Sequence, residues 1–466
     1  MGVGISNWQL ARAVSSLGQL GVVSGTALDQ VLVRRLVDGD PSGAIRRALA
    51  AFPFPAMARR IVDEFFIPGG KPPTQPYPTL PLHHHRAPRK LAELCIAANF
   101  IEVFLAREGH ANPVGINFLE KVQLPHLASI YGAMLAGVSY VLMGAGIPTQ
   151  IPGILDAFAA GHPAAYRLSV TGHSEAAAEE ATVRFDPADY AETPRLPALA
   201  RPRFLAIVSS HTLAASLLRR ASGRVDGFIV EGPTAGGHNA PPRGKLQLNQ
   251  AGEPLYGQRD RVDLAEMRAL GVPFWLAGGY GSAEKLAEAL AEGAAGVQVG
   301  TAFAFSRESG LRDDLKRELL AQAAAGAGRV LTDPLASPTG FPFKVAQLAG
   351  TASDSAVAAG RNRVCDLGFL REAYARPDGS LAWRCSAEPV SCYLAKGGAE
   401  EATRGRKCLC NALLANIGHA QVRPDGSLEP PLVTVGDDIN TVARFLSPGA
   451  LTYSASDVIA AILATQ

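Results

Sequence analysis

Short apolar runs ending in Gly or Ser alternate along this chain with Ala/Leu/Glu-rich segments of helical period, and that alternation leaves few folds open. The runs are GVGIS (2–6), LGVVSG (20–25), PVGINF (113–118), YVLMGAG (140–146), YRLSVTG (166–172), FLAIVSS (204–210), GFIVEG (227–232), FWLAGG (274–279) and GVQVGTAF (296–303). Most are followed by a helix-forming stretch such as NWQLARAVSSL, LPHLASIYGAML or SAEKLAEALAEG. Strands buried on both faces read as near-continuous apolar runs. Alternation with helices then implies a parallel sheet with helices packed outside it. Nine runs compete for the eight places of a (β/α)8 barrel. YRLSVTG is set aside because the proline-punctuated stretch after it, 187–202, reads as an insertion. The other eight extend over the roughly 250–350 residues such a barrel occupies when it carries insertions. An open doubly wound sheet fits the same periodicity.

The expected architecture is α/β: a (β/α)8 TIM barrel with helical insertions and a C-terminal Cys-rich extension. The barrel takes residues 1–345, with insertions at about 37–90 and 162–202; a Cys-rich lobe takes 346–440, and a C-terminal helix packing back takes 441–466. Hydrophobic residues make up 47% and charged residues 18%, which suits a globular core rather than disorder. A net charge of +2, from 44 Lys+Arg against 42 Asp+Glu, gives no strong field for nucleic acid or an acidic membrane. The start lacks a basic, then apolar, leader pattern, and no apolar run approaches about 18 residues, so the expectation is a soluble cytoplasmic protein. The tract GGKPPTQPYPTLPLHHHRAP is expected to be an extended surface loop. Its histidines, His83 to His85, point in divergent directions as neighbours and read as solvated rather than metal-binding.

Two stretches carry chemistry. In EGPTAGGHNAPPRG, Gly236 and Gly237 stand where a buried strand runs out, and bare backbone there lets something flat lie against the chain. His238 puts beside it a side chain that titrates near neutral pH; a structural histidine bonded to backbone is the competing reading. Glu231, at the strand end, is either an active-site carboxylate or part of a salt bridge at the barrel mouth. In LAGGYGSAEKLAEALAEGAAGVQVGTAFAF, Gly278, Gly279 and Gly281 follow a strand and open a helix at Ser282, and Gly300 and Thr301 end the next strand. Such turns expose backbone N–H groups at a helix N-terminus, where anions bind. The loops after strands 7 and 8 of a barrel recurrently form a phosphate groove.

With AGGH and LAGGYGS…VQVGTAF both present, the chain resembles the nitronate monooxygenase (2-nitropropane dioxygenase) family, FMN-dependent barrels that share their fold with flavin-dependent enoyl-acyl-carrier-protein reductases. The opening GIS…LARAVSSLGQLGVVSG is similar to that family's first β-α-β unit and PVGINF to its third strand; the likeness covers roughly residues 2–310. The resemblance implies that Gly278, Gly279, Gly281, Gly300 and Thr301 hold the FMN phosphate. It also implies that Gly4, Ile5, Ser6 and Asn117 flank the ring, that Gly236 and Gly237 pass close to it, and that His238 faces substrate. Glu231 is kept as a secondary candidate beside the cofactor. The activity implied is oxidation of an alkyl nitronate or related small anion with O2. The alternatives are an NAD(P)H-using enoyl-thioester reductase, with an acyl carrier protein as partner, and a non-catalytic flavin-binding scaffold. A homodimer is compatible with either enzyme. An IMP-dehydrogenase type of barrel needs a cysteine on a strand-end loop, and Cys95 lies ahead of the third strand.

The chain departs from compact relatives of that kind in two places. A long loop, 239–262, follows His238; its NQAGEP is expected to close a small hairpin that brings Arg243 or Tyr256 towards substrate, against the alternative of a solvated flap. Further on, the spacing C-x19-C-x6-C-x15-C-x-C offers Cys365, Cys385, Cys408 and Cys410 as ligands for zinc or an iron–sulfur cluster, with Cys392 spare. The competing reading is a set of buried thiols acting as small hydrophobes.

Overall fold

The computed structural model describes residues 2–172 and 181–464; residues 173–180 of the 162–202 insertion, and the last two of the C-terminal segment, lie outside the described residues. Seven parallel strands form one curled sheet: β1 (Gly21–Ser24), β2 (Val114–Leu119), β3 (Tyr140–Gly144), β7 (Arg203–Val208), β8 (Gly227–Glu231), β9 (Phe274–Ala277) and β10 (Gly296–Gln298). Their order is the chain order, and all six pairings are parallel. These are seven of the eight expected strands. The eighth, GVGIS at 2–6, forms a turn instead, because Gly4 takes a left-handed φ of +60° that no ladder accepts. It still occupies the expected place: Ser24 N donates to Ser6 O and Gly310 N to Ile5 O, so the segment bridges β1 and the chain beyond β10. The fold is therefore a (β/α)8-type barrel whose closing strand has become a turn.

Period-two alternation divides each strand between two environments. Phe228 and Val230 of β8 belong to the large core under the surrounding helices, and Ile229 packs inside the barrel with Leu142, Leu205 and Ala277. The interior is thus filled by side chains, not open. Among the helices, Arg89–Arg107 is apolar almost all round and is sandwiched by neighbours, as such a helix must be.

YRLSVTG stays out of the main sheet. It supplies β4 (Ala164–Arg167), antiparallel to β6 (Thr182–Phe185), and β5 (Val170–Thr171), which extends the pair β13 (Glu372–Ala375) and β14 (Leu381–Arg384). After the barrel come β11 (Val330–Asp333) and β12 (Phe343–Ala346), an antiparallel pair. The closing helix Ala455–Leu463 begins with a Ser454/Asp457 capping box and packs on the first helix through Leu10, Val14, Ala455 and Ile459. Apolar clusters run across residue 345, with Phe343 and Val345 packed beside Leu409, Ala412 and Leu432.

The proline-rich tract is not the solvated loop expected. Tyr77, Leu80 and His83 are buried, because polar partners pull the tract inward. The Tyr77 hydroxyl donates to Asp38 Oδ2 at 2.8 Å, Tyr77 N donates to Gln421 Oε1 at 2.8 Å, and His83 Nε2 lies 3.0 Å from Asp29 Oδ2. Among the described residues no helix is long and apolar enough to cross a membrane.

Candidate active site at the barrel mouth

Glu231 is two residues beyond Ile229 on β8, so alternation turns it to the barrel interior at the carboxyl-terminal rim. Asn117 takes the corresponding place on β2, between Ile116 and Phe118 of the outer core, and its register partner is Ser24 of β1. The rim is therefore polar where the layer below is aliphatic. Among the described residues no hydrogen bond reaches the Glu231 carboxyl. Burial raises its pKa from the ordinary carboxylate range to about 7.

Beyond β8 the chain is pinned by its neighbours. Lys344 N donates to Gly237 O and Asn239 N to Pro342 O, each at 2.9 Å, so residues 237–239 lie along β12. His238 is fixed there. Its Nε2 is 2.7 Å from Ser337 Oγ, which is itself bonded to Thr339 Oγ1, and its ring meets Phe343 edge-on at 4.7 Å. Burial lowers the imidazole pKa to about 3, so the ring is neutral at physiological pH.

A cavity of about 170 Å³ opens above Glu231 and His238 and is also lined by Arg243, Tyr256, Asp260 and Phe341. That volume suits a small substrate rather than a whole nucleotide. The long loop, 239–262, supplies Arg243, Tyr256 and Asp260 to this lining. The expected hairpin forms, with Leu248 bridged to Pro254 and Asn249 N donating to Glu253 O, and Asp263 caps the next helix as its sequence suggests. The Tyr256 hydroxyl ties the loop down by donating to Ala240 O at 3.0 Å. Among the described residues, Arg243 brings the only Lys or Arg side chain in the wall.

Gly278, Gly279, Gly281, Gly300 and Thr301 gather at the neighbouring strand ends, outside this cavity wall. Gly278 and Gly279 take φ of +97° and +81°, and Ser282 caps the helix Ala283–Ala291. A Cβ added at Gly300 would meet nothing within 4 Å, and at Gly279 only Thr234 Oγ1 at 4.0 Å. Open space over two strand-end glycines beside a capped helix is what a phosphate requires.

The sequence reading missed what lies across this end. Residues 434–438, TVGDD, are stitched over it: Gly237 N donates to Thr434 Oγ1 at 2.8 Å, Gly436 N to Thr301 Oγ1 at 3.0 Å, and Asp437 N to Thr234 O at 3.0 Å. This explains Gly236 differently from expectation. A Cβ there would sit 2.7 Å from the Val435 carbonyl carbon, so its bare backbone admits the C-terminal segment. Asp438 stands at the start of the Ile439–Phe445 helical turn yet makes no capping bond. Its Oδ1 is buried without a partner, and burial pushes its carboxyl upward against the opposing hydrogen bond from Thr301. An acceptor left unmade beside an anion cradle suits a hydroxyl donor better than a second anion. The only signal in the sequence was the paired acid after a glycine.

Gly4, Ile5 and Ser6 are at the barrel end where the missing strand would finish, and outside the cavity wall. A Cβ at Gly4 would strike Ile417 at 2.6 Å, so this position too is packed by the C-terminal lobe. The four proposed metal-binding cysteines line one small crevice with Leu367, Leu370 and Leu409. Cys365 and Cys385 meet, but no three of these sulfurs lie within 4.8 Å of one another. Among the described residues the one group of three or more His, Cys, Asp or Glu ligand atoms within 4.8 Å of one another is Asp29, His83 and Cys95. Burial keeps Cys408 and Cys410 above the usual thiol range, as expected of packed thiols, while Cys385 keeps its proton by donating to Cys365, whose thiol is lowered by that bond.

The nitronate monooxygenase family model matches residues 189–333, which hold Glu231, the AGGH stretch and both glycine turns. Two curated relatives carry the name (3aS,4S,5R,7aS)-5-hydroxy-7a-methyl-1-oxo-octahydro-1H-indene-4-carboxyl-CoA dehydrogenase. The one from Rhodococcus jostii is 33% identical over 137 residues, 29% of this chain and 35% of that protein. The one from Mycobacterium tuberculosis is 31% identical over 160 residues, 34% of this chain and 40% of that protein. The match thus spans under half the length of either relative. Among solved structures, FabK from Thermotoga maritima has a TM-score of 0.49 at 16% identity, covering 98% of this chain and 88% of that one. Nitroalkane oxidase from Streptomyces ansochromogenes has a TM-score of 0.46 at 16% identity, covering 99% and 92%.

Proposed function

We propose, from the premise that residues 189–333 are a domain of the nitronate monooxygenase kind, that the chain is an FMN-dependent oxidoreductase acting on a small anionic substrate such as an alkyl nitronate. The observation that carries the reading is the meeting of Glu231, His238, Arg243 and Tyr256 in one cavity beside an open glycine cradle. Bound in that cradle, a flavin supplies the acceptor for electrons leaving the substrate.

The chain's own residues do the rest. The Arg243 guanidinium draws an anion to the cavity and balances its charge. A neutral His238, held by Ser337, accepts a proton from a carbon acid or bonds to the oxygen on which negative charge develops; an anion beside it raises its basicity from the low value of the empty site. Glu231, titrating near 7, is suited to take up or return that proton at working pH. Phe341 and Phe343 keep water from the imidazole.

A second reading, an oxidoreductase of acyl or enoyl thioesters, draws support from the carboxyl-CoA substrate in the names of both curated relatives. In that case His238 orients the thioester carbonyl, and a carrier protein or coenzyme brings the acyl group. Adding NADPH or NADH to the flavin-loaded protein without oxygen separates the two. Rapid bleaching of the flavin band supports thioester reduction, and oxygen uptake on adding a nitronate alone supports the first reading. In either, His238→Ala lowers kcat/KM by about 10²–10⁴-fold with flavin still bound. Unchanged turnover in that variant removes the histidine from the chemistry and favours a flavin-binding scaffold.

A further inference from the structure

Two features that the barrel chemistry leaves unused, the histidine run at 83–85 and the isolated Cys95, meet at one place. Asp29 is in the first turn of helix Leu28–Val37, Cys95 is in helix Arg89–Arg107, and His83 comes from the proline-rich tract between them. Their ligand atoms all lie within 4.8 Å of one another, and the three residues are 2%, 4% and 2% exposed. We propose that Asp29, His83 and Cys95 bind a divalent transition-metal ion of the zinc class, and that the ion fastens the proline-rich tract to the barrel helices.

The donor set is the first argument. One carboxylate oxygen, one imidazole nitrogen and one sulfur match a borderline-soft cation and suit neither magnesium nor calcium, which take oxygen alone. Charge is the second. An ionised Asp29 and a metal-bound Cys95 thiolate together carry the two negative charges that cancel a divalent ion, leaving a buried site with no net charge to desolvate. A coordinating cation displaces the thiol proton to solvent.

Geometry agrees. His83 Nε2 and Asp29 Oδ2 are 3.0 Å apart, close to the spacing of about 3.3 Å between two ligand atoms at bonds of about 2.0–2.1 Å around a tetrahedral ion. The surroundings already hold the donors in place. Ser129, 4% exposed, is hydrogen-bonded to the Cys95 sulfur, the His83 ring lies 5.4 Å from Phe369, and Arg371 donates to the His83 carbonyl oxygen. The second Asp29 oxygen or a water completes the shell. Through Phe369 and Arg371 the same ion also steadies the Cys-rich lobe, a long way round the chain from Asp29.

The test uses the full-length protein, stripped with a chelator and titrated with Co²⁺. The expected result is one ion per chain, visible bands of tetrahedral intensity and a near-ultraviolet thiolate-to-cobalt band, all abolished by Zn²⁺. Cys95→Ser removes the near-ultraviolet band, and His83→Gln weakens uptake by at least about tenfold. The double change Cys365→Ser with Cys385→Ser leaves the spectrum as it was, which excludes the lobe thiols as its source. The wild-type titration stands even if a variant fails to fold. Absence of Co²⁺ uptake by the stripped wild type, or a thiolate band that survives Cys95→Ser, overturns the proposal and leaves a hydrogen-bonded Asp–His pair beside a packed thiol.

Discussion

The mouth of the barrel and the junction that fastens the C-terminal lobe hold many of the same residue types and treat them in opposite ways. At the junction, Glu429 is 3% exposed and receives Arg361 at 2.6 and 2.9 Å and Arg423 Nε at 2.6 Å; Arg423 also reaches Asp366, which accepts from Asn411. Asp38 there accepts from Tyr77 and meets His419, and the buried Arg34 donates to the His419 carbonyl. At the mouth, the Glu231 carboxyl accepts no hydrogen bond and Arg243 makes no ion pair among the described residues, while Asp438 Oδ1 is buried and unpartnered. An unmade polar bond in a folded protein costs about 1–3 kcal/mol. Among the described residues the carboxylates of the junction are fully partnered and those of the mouth are not, which is the difference the proposed function would require. Paired charges hold the lobe in place.

Each half of that contrast can be broken. The largest effect is expected at the junction. Glu429→Gln leaves two half-buried guanidinium groups facing a neutral, buried amide and lowers unfolding stability by about 3 kcal/mol, read by denaturant titration. A loss under about 1 kcal/mol would show that the network does not fasten the lobe.

Glu231→Gln should act in the opposite direction. Because the folded-state pKa, about 7, exceeds the ordinary 4.5, folding takes up a proton. The favourable contribution is complete below about pH 4.5 and is lost as pH rises through 7. Removing the carboxylate therefore raises stability by about 1–3 kcal/mol at pH 8 and changes little at pH 4. An equal gain at both pH values would mean that the residue is not held neutral by its place in the barrel. Reduced turnover in the same variant would show that the unpaired state serves the chemistry.

Much of the mouth was legible from local pattern. Apolar runs located seven strands, the GG turns located the open glycines at the neighbouring strand ends, and NQAGEP announced the hairpin that carries Arg243 and Tyr256 to the cavity. What could not be read depends on contacts distant in sequence. GVGIS has the composition of a strand, yet Gly4 turns left-handed under Ile417 of the lobe. Gly236 was assigned to a cofactor's bulk, yet Val435 is what its missing side chain makes room for. His83 and Cys95 looked unrelated because only the fold brings Asp29 between them. In each case the decisive neighbour is remote in the chain, and no local propensity encodes it.

Asp438 sharpens the contrast at an intermediate scale. If its free oxygen waits for the hydroxyls of the cofactor's linker, Asp438→Ala weakens FMN and riboflavin binding alike, by about tenfold, and leaves lumiflavin, which lacks the linker, unaffected. The stability of the empty protein should stay level or rise, since a buried unpartnered acceptor is removed. Flavin fluorescence gives the three affinities. A variant that weakens FMN but spares riboflavin would move Asp438 to the phosphate, and one that spares both would remove it from the site.

The smallest effect is expected from Tyr256, whose phenol belongs to both regions in character: it lines the cavity but is paired, donating to Ala240 O at 3.0 Å. As a fastener of the loop it acts on where the wall stands and not on the reacting atoms. Tyr256→Phe then costs about 1 kcal/mol, felt as a rise in KM of about fivefold with kcat unchanged, because the loop must be ordered afresh by each substrate. Steady-state kinetics with a nitronate separates the two constants. A fall in kcat at constant KM would place the hydroxyl on the substrate itself, and the 239–262 loop would then be part of the catalytic apparatus instead of a wall held beside it.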